Sequence, residues 1–252
     1  MYEANVNSYF QTIGIYFFNM LYFSAKNYTV GQNKLERFAE LDTFSNTIQP
    51  RLENWFDTFE NKGKWNELYF KNNNPIVLEL GCGKGEYTVG LGRQYPDKNF
   101  IGMDRKGNRI WRGAKTALDE DINNIMFLRT EIDKVDQFFA EGEVSEIWIT
   151  FPDPQPQLSR AKKRLTAPKF LARYKNMLAP DGIIHLKTDS QLLHEYTLEV
   201  IEEGKHILLF KTNDLYANPE NKSDPILGIQ TYYESLFLKE GMPITYIKFK
   251  LA

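Results

Sequence analysis

The residues with the clearest chemical potential form one glycine-rich turn, Glu79-Leu80-Gly81-Cys82-Gly83-Lys84-Gly85. Glycines at positions 81, 83 and 85 let the backbone turn tightly and approach a ligand closely. A dinucleotide fingerprint would need Gly or Ala where Glu86 stands, and a Walker loop would need a Lys-Ser/Thr pair. Because the carboxylates of Glu79 and Glu86 disfavour a pyrophosphate, the turn predicts a ligand that carries positive charge.

A second acidic residue, Asp104, lies at the end of the next predicted strand, 19 residues after Gly85. A carboxylate at that place accepts hydrogen bonds from both hydroxyls of a ribose. Glu131 follows the third predicted strand, where the edge of an adenine would lie, although a solvated loop position would equally suit it. S-adenosylmethionine has a ribose, an adenine, a sulfonium and an ammonium group, and is therefore the predicted cofactor.

The fourth predicted strand ends in Thr150-Phe151-Pro152-Asp153-Pro154. The two prolines fix φ on either side of Asp153 and stiffen the loop that carries its carboxylate. Asp153 is therefore the candidate catalytic residue. The basic residues Lys162, Lys163 and Arg164 follow closely, and they predict contacts with phosphates. A solvated surface is the alternative interpretation of that basic run.

Two polar segments later in the chain fit both a structural and a ligand-binding role. Asp189 and Ser190 follow the fifth predicted strand, where either would cap the next helix. Thr231-Tyr232-Tyr233-Glu234 has the Thr-x-x-Glu spacing of a capping box. Thr166 is the predicted N-cap of the helix that follows the basic run.

Strands alternate with helices from Ile76 onward, which is typical of a doubly wound α/β fold. We expect a Rossmann-like, mostly parallel sheet of seven strands with helices on both faces. In such sheets the ligand lies at the carboxyl ends of the strands. The seven predicted strands are Ile76–Leu80, Phe100–Met103, Ile125–Leu128, Ile147–Thr150, Gly182–Leu186, His206–Lys211 and Thr245–Leu251.

Composition restricts the partners and the kinds of site that the chain can have. The chain has 252 residues, 42% of them hydrophobic, and a formal net charge of -2 at pH 7. A nucleic acid must therefore meet a local basic patch. The single cysteine, Cys82, excludes an intrachain disulfide and a cysteine-based zinc site. No metal is expected, and the cytoplasm is the expected compartment.

The first part of the chain carries no motif. Residues 12–24 are apolar and aromatic, but they are too few for a membrane-spanning helix, which needs about 20 residues. We interpret residues 1–30 as a dispensable extension, residues 31–74 as an irregular lead-in and residues 75–252 as the catalytic domain.

The ordered motifs LELGCGKGE, GMDRKGNRIWRGA, FPDP with its basic tail, LKTD and T-x-Y-E together resemble the bacterial tRNA (guanine-N7)-methyltransferase family. This is a family of class I S-adenosylmethionine-dependent enzymes, and the resemblance runs from about Asn33 to the C-terminus. It implies methyl transfer to N7 of a variable-loop guanine in tRNA. It implies that Glu79, Asp104, Glu131 and Asp153 line the cofactor and catalytic pocket. It also implies that Asp189 and Thr231, Tyr232, Tyr233 and Glu234 contact substrate.

The segment Gln155–Ser159 departs from the family pattern, which has a Trp and a basic stretch there, with a substrate lysine at position 157. This departure affects the details of tRNA contact more than the chemistry. Two other functions stay open: a class I methyltransferase acting on a small molecule or a protein, and a tRNA-binding protein without catalysis. The oligomeric state, monomer or homodimer, also stays open.

Overall fold

The computed structural model describes residues 34–50, 59–224 and 227–252. The chain divides into two compact units, Met1–Thr43 and Phe44–Ala252. In the first unit the described residues form a helix, α1, over residues 34–41. The predicted dispensable extension, residues 1–30, lies outside the described residues.

The second unit contains a sheet of eight strands among the described residues, in the order β1-β4-β3-β2-β5-β6-β8-β7. Neighbouring strands from β1 to β6 run parallel, while β8 runs antiparallel to both β6 and β7. The strands are β1 (Thr47–Ile48), β2 (Ile76–Leu80), β3 (Asn99–Asp104), β4 (Ile125–Arg129), β5 (Val144–Thr150), β6 (Leu178–Thr188), β7 (Ile207–Thr212) and β8 (Thr245–Lys250).

Helices follow the strands, as in a doubly wound fold. They are α2 (Glu86–Gln94), α3 (Gly107–Asp119), α4 (Pro168–Met177), α5 (Gln191–Glu203), α6 (Pro219–Ser223) and α7 (Tyr232–Lys239). A π-helix spans Asn66–Phe70, and two 3-10 helices span Ile132–Gln137 and Leu158–Lys163. The predicted mostly parallel α/β fold is confirmed, and all seven predicted strands are present.

Successive residues of a strand point to opposite faces of the sheet, and the central strands β2 and β3 are buried on both faces. On one face, Leu78 of β2 and Ile101 of β3 belong to the main apolar cluster, together with Phe170 of α4 and Leu193 of α5. On the other face α2 packs on the sheet, and the Tyr87 ring lies 5.0 Å from that of Trp148 on β5. The elements on both sides of the glycine-rich turn, β2 and α2, are therefore both packed in the core.

The eighth strand, β1, differs from the sequence prediction because it lies in the segment interpreted as an irregular lead-in. It pairs with β4 in parallel, and Thr47 lies opposite Phe127. Two residues are too few to produce a strand pattern in a sequence. The N-cap prediction for Thr166 was also wrong. Ala167 is the N-cap and Pro168 the first residue of α4, while the Thr166 hydroxyl lies 2.8 Å from that of Thr197.

Candidate functional site

A cavity of about 410 Å³ lies where β2, β3 and β4 end. The strand order reverses at β2, because β3 lies on one side of it and β5 on the other. Ligands of doubly wound sheets bind at such a reversal. Four residues singled out in the sequence line this cavity: Gly81, Asp104, Glu131 and Lys163.

Asp104 is the best-fixed acid of the cavity. Its Oδ2 accepts a hydrogen bond from the Gly83 amide at 3.1 Å, and its Oδ1 accepts one from the Lys106 amide at 2.8 Å. A carboxylate has about four lone-pair positions. Asp104 therefore keeps acceptor capacity on both oxygens while its orientation is set by backbone donors, which suits a vicinal diol such as a ribose.

The glycine-rich turn is tied to β3 by its own backbone. The amides of Gly81 and Cys82 both donate to the Met103 carbonyl, at 2.8 and 3.0 Å. Gly81, Gly83 and Gly85 have φ values of +78°, +57° and +71°. The turn thus needs residues that adopt the left-handed region without cost. Gly81 lines the cavity, whereas Gly83 and Gly85 are not part of its lining.

Glu79 does not line the cavity. Its side chain is buried, with Oε2 accepting from the Thr88 amide at 2.9 Å and from the Thr88 hydroxyl. Its Oε1 accepts from the Thr150 hydroxyl at 2.6 Å. Burial raises the pKa of Glu79 to about 7, although the hydrogen bonds from Thr150 and Thr88 act in the opposite direction. Glu79 therefore connects β2, α2 and β5 directly beneath the turn.

Asp153 is exposed and lies outside the cavity lining. Its Oδ1 accepts a hydrogen bond from the Gln155 amide at 3.0 Å. The loop begins at Phe151, whose amide donates to the Lys187 carbonyl on β6 at 2.8 Å. Thr150 precedes the Asp153 loop, and Glu79 precedes Leu80 and the glycines of the turn. The hydrogen bond from the Thr150 hydroxyl to Glu79 therefore links the start of the Asp153 loop to the start of the glycine-rich turn.

The basic run separates into two parts. Lys162 and Lys163 are exposed, and no ion pair joins either to a carboxylate within the described ranges. Arg164 is 3% exposed, and its guanidinium donates to the carbonyls of Pro154 and Gln155. The predicted phosphate contact of Arg164 does not fit this inward position.

The T-x-Y-E segment forms the predicted capping box, with Thr231 and Glu234 each accepting from the other's backbone. Glu234 is fully buried, and its Oε1 lies 2.8 Å from Lys187 Nζ and accepts from the Tyr216 hydroxyl at 2.5 Å. Burial lowers the pKa of Lys187, and Glu234 opposes that effect. Glu234 thus stabilises the start of α7 from the interior of the protein. This buried position does not fit the predicted contact of Glu234 with substrate.

Tyr232, an exposed member of that segment, lies against the glycine-rich turn. The Tyr232 amide donates to Glu86 Oε2 at 2.9 Å, and Lys84 Nζ lies 4.5 Å from the centroid of the Tyr232 ring. Tyr233 is likewise exposed. The start of α7 therefore lies against the start of α2, which brings Tyr232 beside the glycine-rich turn.

Asp189 directly follows β6 and is half-buried. Burial raises the pKa of its carboxyl group. The next residue, Ser190, caps α5 by accepting from the Leu193 amide at 3.2 Å. The capping role therefore belongs to Ser190, and it leaves Asp189 free for the predicted contact with substrate.

Sequence reasoning missed the basic rim of the cavity. Arg105, Lys106 and Arg109 line it together with Lys163, and none has an ion-pair partner in the part of the chain that the structure describes. The signal was present, because Arg105 and Lys106 directly follow Asp104. S-adenosylmethionine carries a net positive charge and gives no reason for four cations there, so a separate anionic partner suits them better.

Comparisons with known proteins agree on the class. A family model described as "Putative methyltransferase" matches residues 73–247. A tRNA (guanine-N(7)-)-methyltransferase of Christiangramia forsetii is 57% identical over 221 residues, which are 87% of this chain and 98% of the relative. The enzyme of the same name from Bacteroides fragilis is 52% identical over 88% of this chain and 87% of its own.

Two solved structures share the fold. A 30S ribosomal A1408 methyltransferase from an uncultured bacterium aligns with a TM-score of 0.52 at 17% identity, over 76% of this chain and 98% of its own. The 16S rRNA methyltransferase KamB aligns with a TM-score of 0.57 at 13% identity, over 78% and 95%. Within the described ranges, no helix is long and apolar enough to cross a membrane, and no group of His, Cys, Asp or Glu is suited to a metal ion.

Proposed function

Since the chain belongs to the tRNA (guanine-N7)-methyltransferase family, we propose that it transfers a methyl group from S-adenosylmethionine to N7 of a guanine in tRNA. The product is 7-methylguanosine, and the proposed target is a guanine of the variable loop. The observation that carries this proposal is the cavity at the strand ends, where Gly81, Asp104 and Glu131 meet. We place the reaction in the cytoplasm, with the enzyme acting as a monomer or a homodimer.

The cavity suits S-adenosylmethionine, which supplies an electrophilic methyl group when it is bound. Asp104 is oriented to accept ribose hydroxyls, because two backbone amides fix its carboxylate. Glu131 lines the cavity together with Thr130 and Ile132, and its proposed role is contact with the adenine. Gly81 brings backbone close to the remainder of the cofactor.

Asp153 is the proposed catalytic residue. Guanine N7 has an in-plane lone pair and no proton, so its attack requires no general base. Positioning of the two reactants then supplies most of the rate. The purine becomes cationic as the methyl group arrives, and a preorganised carboxylate stabilises that charge. The Asp153 carboxylate is held by the Gln155 amide in a loop bordered by prolines.

The tRNA has to be attracted locally, because the chain carries a formal net charge of -2. Lys162 and Lys163 follow the Asp153 loop, and Arg105, Lys106 and Arg109 follow Asp104. All of these except Lys162 line the cavity, and Lys162 is exposed beside Lys163. None of the five has a carboxylate partner in the described ranges, so they are available to phosphates. Asp189, Tyr232 and Tyr233 are proposed to contact the target nucleotide.

The direct test is transfer of radiolabelled methyl from S-adenosylmethionine to unmodified tRNA. Borohydride reduction and aniline cleavage then locate 7-methylguanosine in the product. We expect one cleavage site, in the variable loop. Labelled tRNA that resists aniline would place the methyl group on another atom and contradict the proposal.

The role of Asp153 is tested with Asp153→Asn, which keeps the shape of the side chain and removes its charge. We expect kcat to fall by about 10²–10³, the scale of losing one preorganised electrostatic partner. Cofactor and tRNA affinities, measured by calorimetry and filter binding, should change much less. A variant with near-normal turnover would show that Asp153 is not the stabilising carboxylate.

A further inference from the structure

Arg164 is the one member of the basic run Lys162–Arg164 that turns inward. Its Nε lies 3.1 Å from the Pro154 carbonyl oxygen and 3.3 Å from that of Gln155, and its Nη2 lies 3.1 Å from the Gln155 oxygen. The residue is 3% exposed. A planar guanidinium with several donors can hold two neighbouring carbonyls at once, whereas a lysine ammonium acts as a point charge.

The guanidinium also has a fixed support. Its Cζ lies 4.3 Å from the centroid of the Tyr196 ring on α5. An arginine over the face of an aromatic ring is attracted by the ring's electrons and restricted in orientation. Ser190 caps α5 at its start, and the buried Leu193 and Val200 anchor the helix in the core. Arg164 therefore connects the loop after β5 to a helix that is anchored in the apolar core.

The loop needs such a connection because its backbone is disfavoured at two places. Phe151 has φ of +47° and Gln155 has φ of +46°. Residues with a Cβ adopt this left-handed region at a steric cost, and they stay there when surrounding contacts determine the conformation. The Phe151 amide donates to the Lys187 carbonyl at one end of the loop, and Arg164 holds the Gln155 carbonyl at the other.

Gln155 links Arg164 to Asp153, the proposed catalytic residue. Its amide donates to Asp153 Oδ1 at 3.0 Å, while its carbonyl accepts from Arg164. The orientation of the Asp153 carboxylate thus depends on a residue whose left-handed backbone is held from outside the loop. Without Arg164, Gln155 is free to relax, and the Asp153 carboxylate loses its hydrogen-bond donor.

The geometry points to Arg164 as a positioning residue, which holds the Asp153 carboxylate in the orientation for methyl transfer by clamping the Pro154 and Gln155 carbonyls against Tyr196. This inference rests on the proposed function of Asp153. Arg164 acts on the loop and does not contact tRNA phosphates. The two lysines that precede it in the sequence act on tRNA and not on the loop.

The test compares Arg164→Ala with the double variant Lys162→Ala/Lys163→Ala in steady-state methylation of unmodified tRNA. For Arg164→Ala we expect kcat to fall about 100-fold, the effect of a small misplacement of a reacting group. Its KM for tRNA should change less than about threefold. Its slope of log affinity against log salt should equal that of the wild type, whereas the double lysine variant should lose roughly one unit of slope per phosphate contact.

Two further measurements separate positioning from loss of charge or of folding. Arg164→Lys keeps the charge and the aliphatic stem over Tyr196 but lacks the planar fork, so we expect its kcat to stay at least about tenfold below wild type. Guanidinium chloride at millimolar concentration should raise the kcat of Arg164→Ala, and sodium chloride at equal ionic strength should not.

An Arg164→Ala enzyme with normal kcat, or one that loses salt dependence as the double lysine variant does, would overturn the positioning role. So would an Arg164→Lys enzyme with full turnover. A wild-type enzyme that produces no 7-methylguanosine would instead contradict the proposed function, so the two failures are distinguishable.

Discussion

Glu79 shows how much of a residue's role depends on its neighbours in space. Its position at the end of β2 predicts an acid near the glycine-rich turn, and it does lie beneath that turn. The sequence does not reveal that Thr88 and Thr150 supply the donors for both of its carboxylate oxygens. Those donors come from α2 and β5, and only the parallel pairing of β2 with β5 brings Thr150 close.

The raised pKa of Glu79 predicts a pH dependence of stability. The folded state holds the proton up to about pH 7, against an ordinary value of 4.5. A raised carboxyl pKa contributes stability below the ordinary value and loses it as pH rises through the folded value. The free energy of unfolding should therefore fall between about pH 4.5 and pH 7, by on the order of 3 kcal/mol from this group.

Urea unfolding of the wild type and of Glu79→Gln isolates this contribution, because Gln cannot ionise and every other group is common to both proteins. Relative to the wild type, Glu79→Gln should become more stable as the pH rises from 4.5 to 8. A difference in unfolding free energy that stays constant over that range would contradict the raised pKa.

Arg164 marks a limit of sequence reasoning at the scale of the residue. Its two basic neighbours favoured a phosphate contact, and nothing in the run distinguishes an inward side chain from an outward one. The distinction depends on Tyr196, 32 positions later in the chain, and on the Pro154 and Gln155 carbonyls. The departure at Gln155 from the family pattern lies at the carbonyl that Arg164 binds.

At the scale of elements, the connection between β2 and α2 depends on the size of one glycine. A Cβ at Gly85 would lie 2.6 Å from the ring of Phe127 on β4 and 3.2 Å from Gly113 Cα on α3. Gly85 therefore allows the turn, the sheet and α3 to approach each other. The same turn places Gly81 at the cavity.

We expect Gly85→Ala to be far more destabilising than Gly142→Ala, which provides a matched control. Both glycines have φ of +71°, but a Cβ at Gly142 would meet nothing within 4 Å. The shared backbone cost is about 1–2 kcal/mol, and overpacking should add about 1–3 kcal/mol at Gly85 alone. Urea unfolding measures both values, and equal losses would show that the contact with Phe127 relaxes freely.

Element types were predictable, and element partners were less so. Short apolar segments that alternate along the chain with helical segments indicated the strands from β2 to β8. The spacing of Thr231 and Glu234 indicated the start of α7. The pairing of β8 between β6 and β7 depends on packing across the sheet, which no local pattern encodes. Glu234 was predicted to contact substrate, and its burial against Lys187 follows from that tertiary arrangement.

At the scale of the whole molecule, the local distribution of charge differs from the net charge. The chain is slightly acidic overall, with 33 acidic and 31 basic residues. The basic residues Arg105, Lys106 and Arg109 gather with Lys163 around one cavity. Composition predicted that a nucleic-acid partner would need a local patch. The position of that patch required the folded chain, because its members come from two separate segments, one after β3 and one after β5.

The basic rim has a consequence for the order of events in a catalytic cycle. Its cations come from two segments that border the same cavity, so an RNA strand that contacts both segments would span the mouth of the proposed cofactor site. Release of S-adenosylhomocysteine should then wait for departure of the methylated tRNA.

With tRNA at saturation, we expect radiolabelled S-adenosylhomocysteine, chased with unlabelled compound, to dissociate at least about tenfold more slowly than in the absence of tRNA. Arg105→Ala/Arg109→Ala should remove that delay, whereas Lys64→Ala/Lys205→Ala, on exposed lysines away from the cavity, should preserve it. Equal dissociation rates with and without tRNA would mean that cofactor exchange is independent of tRNA residence.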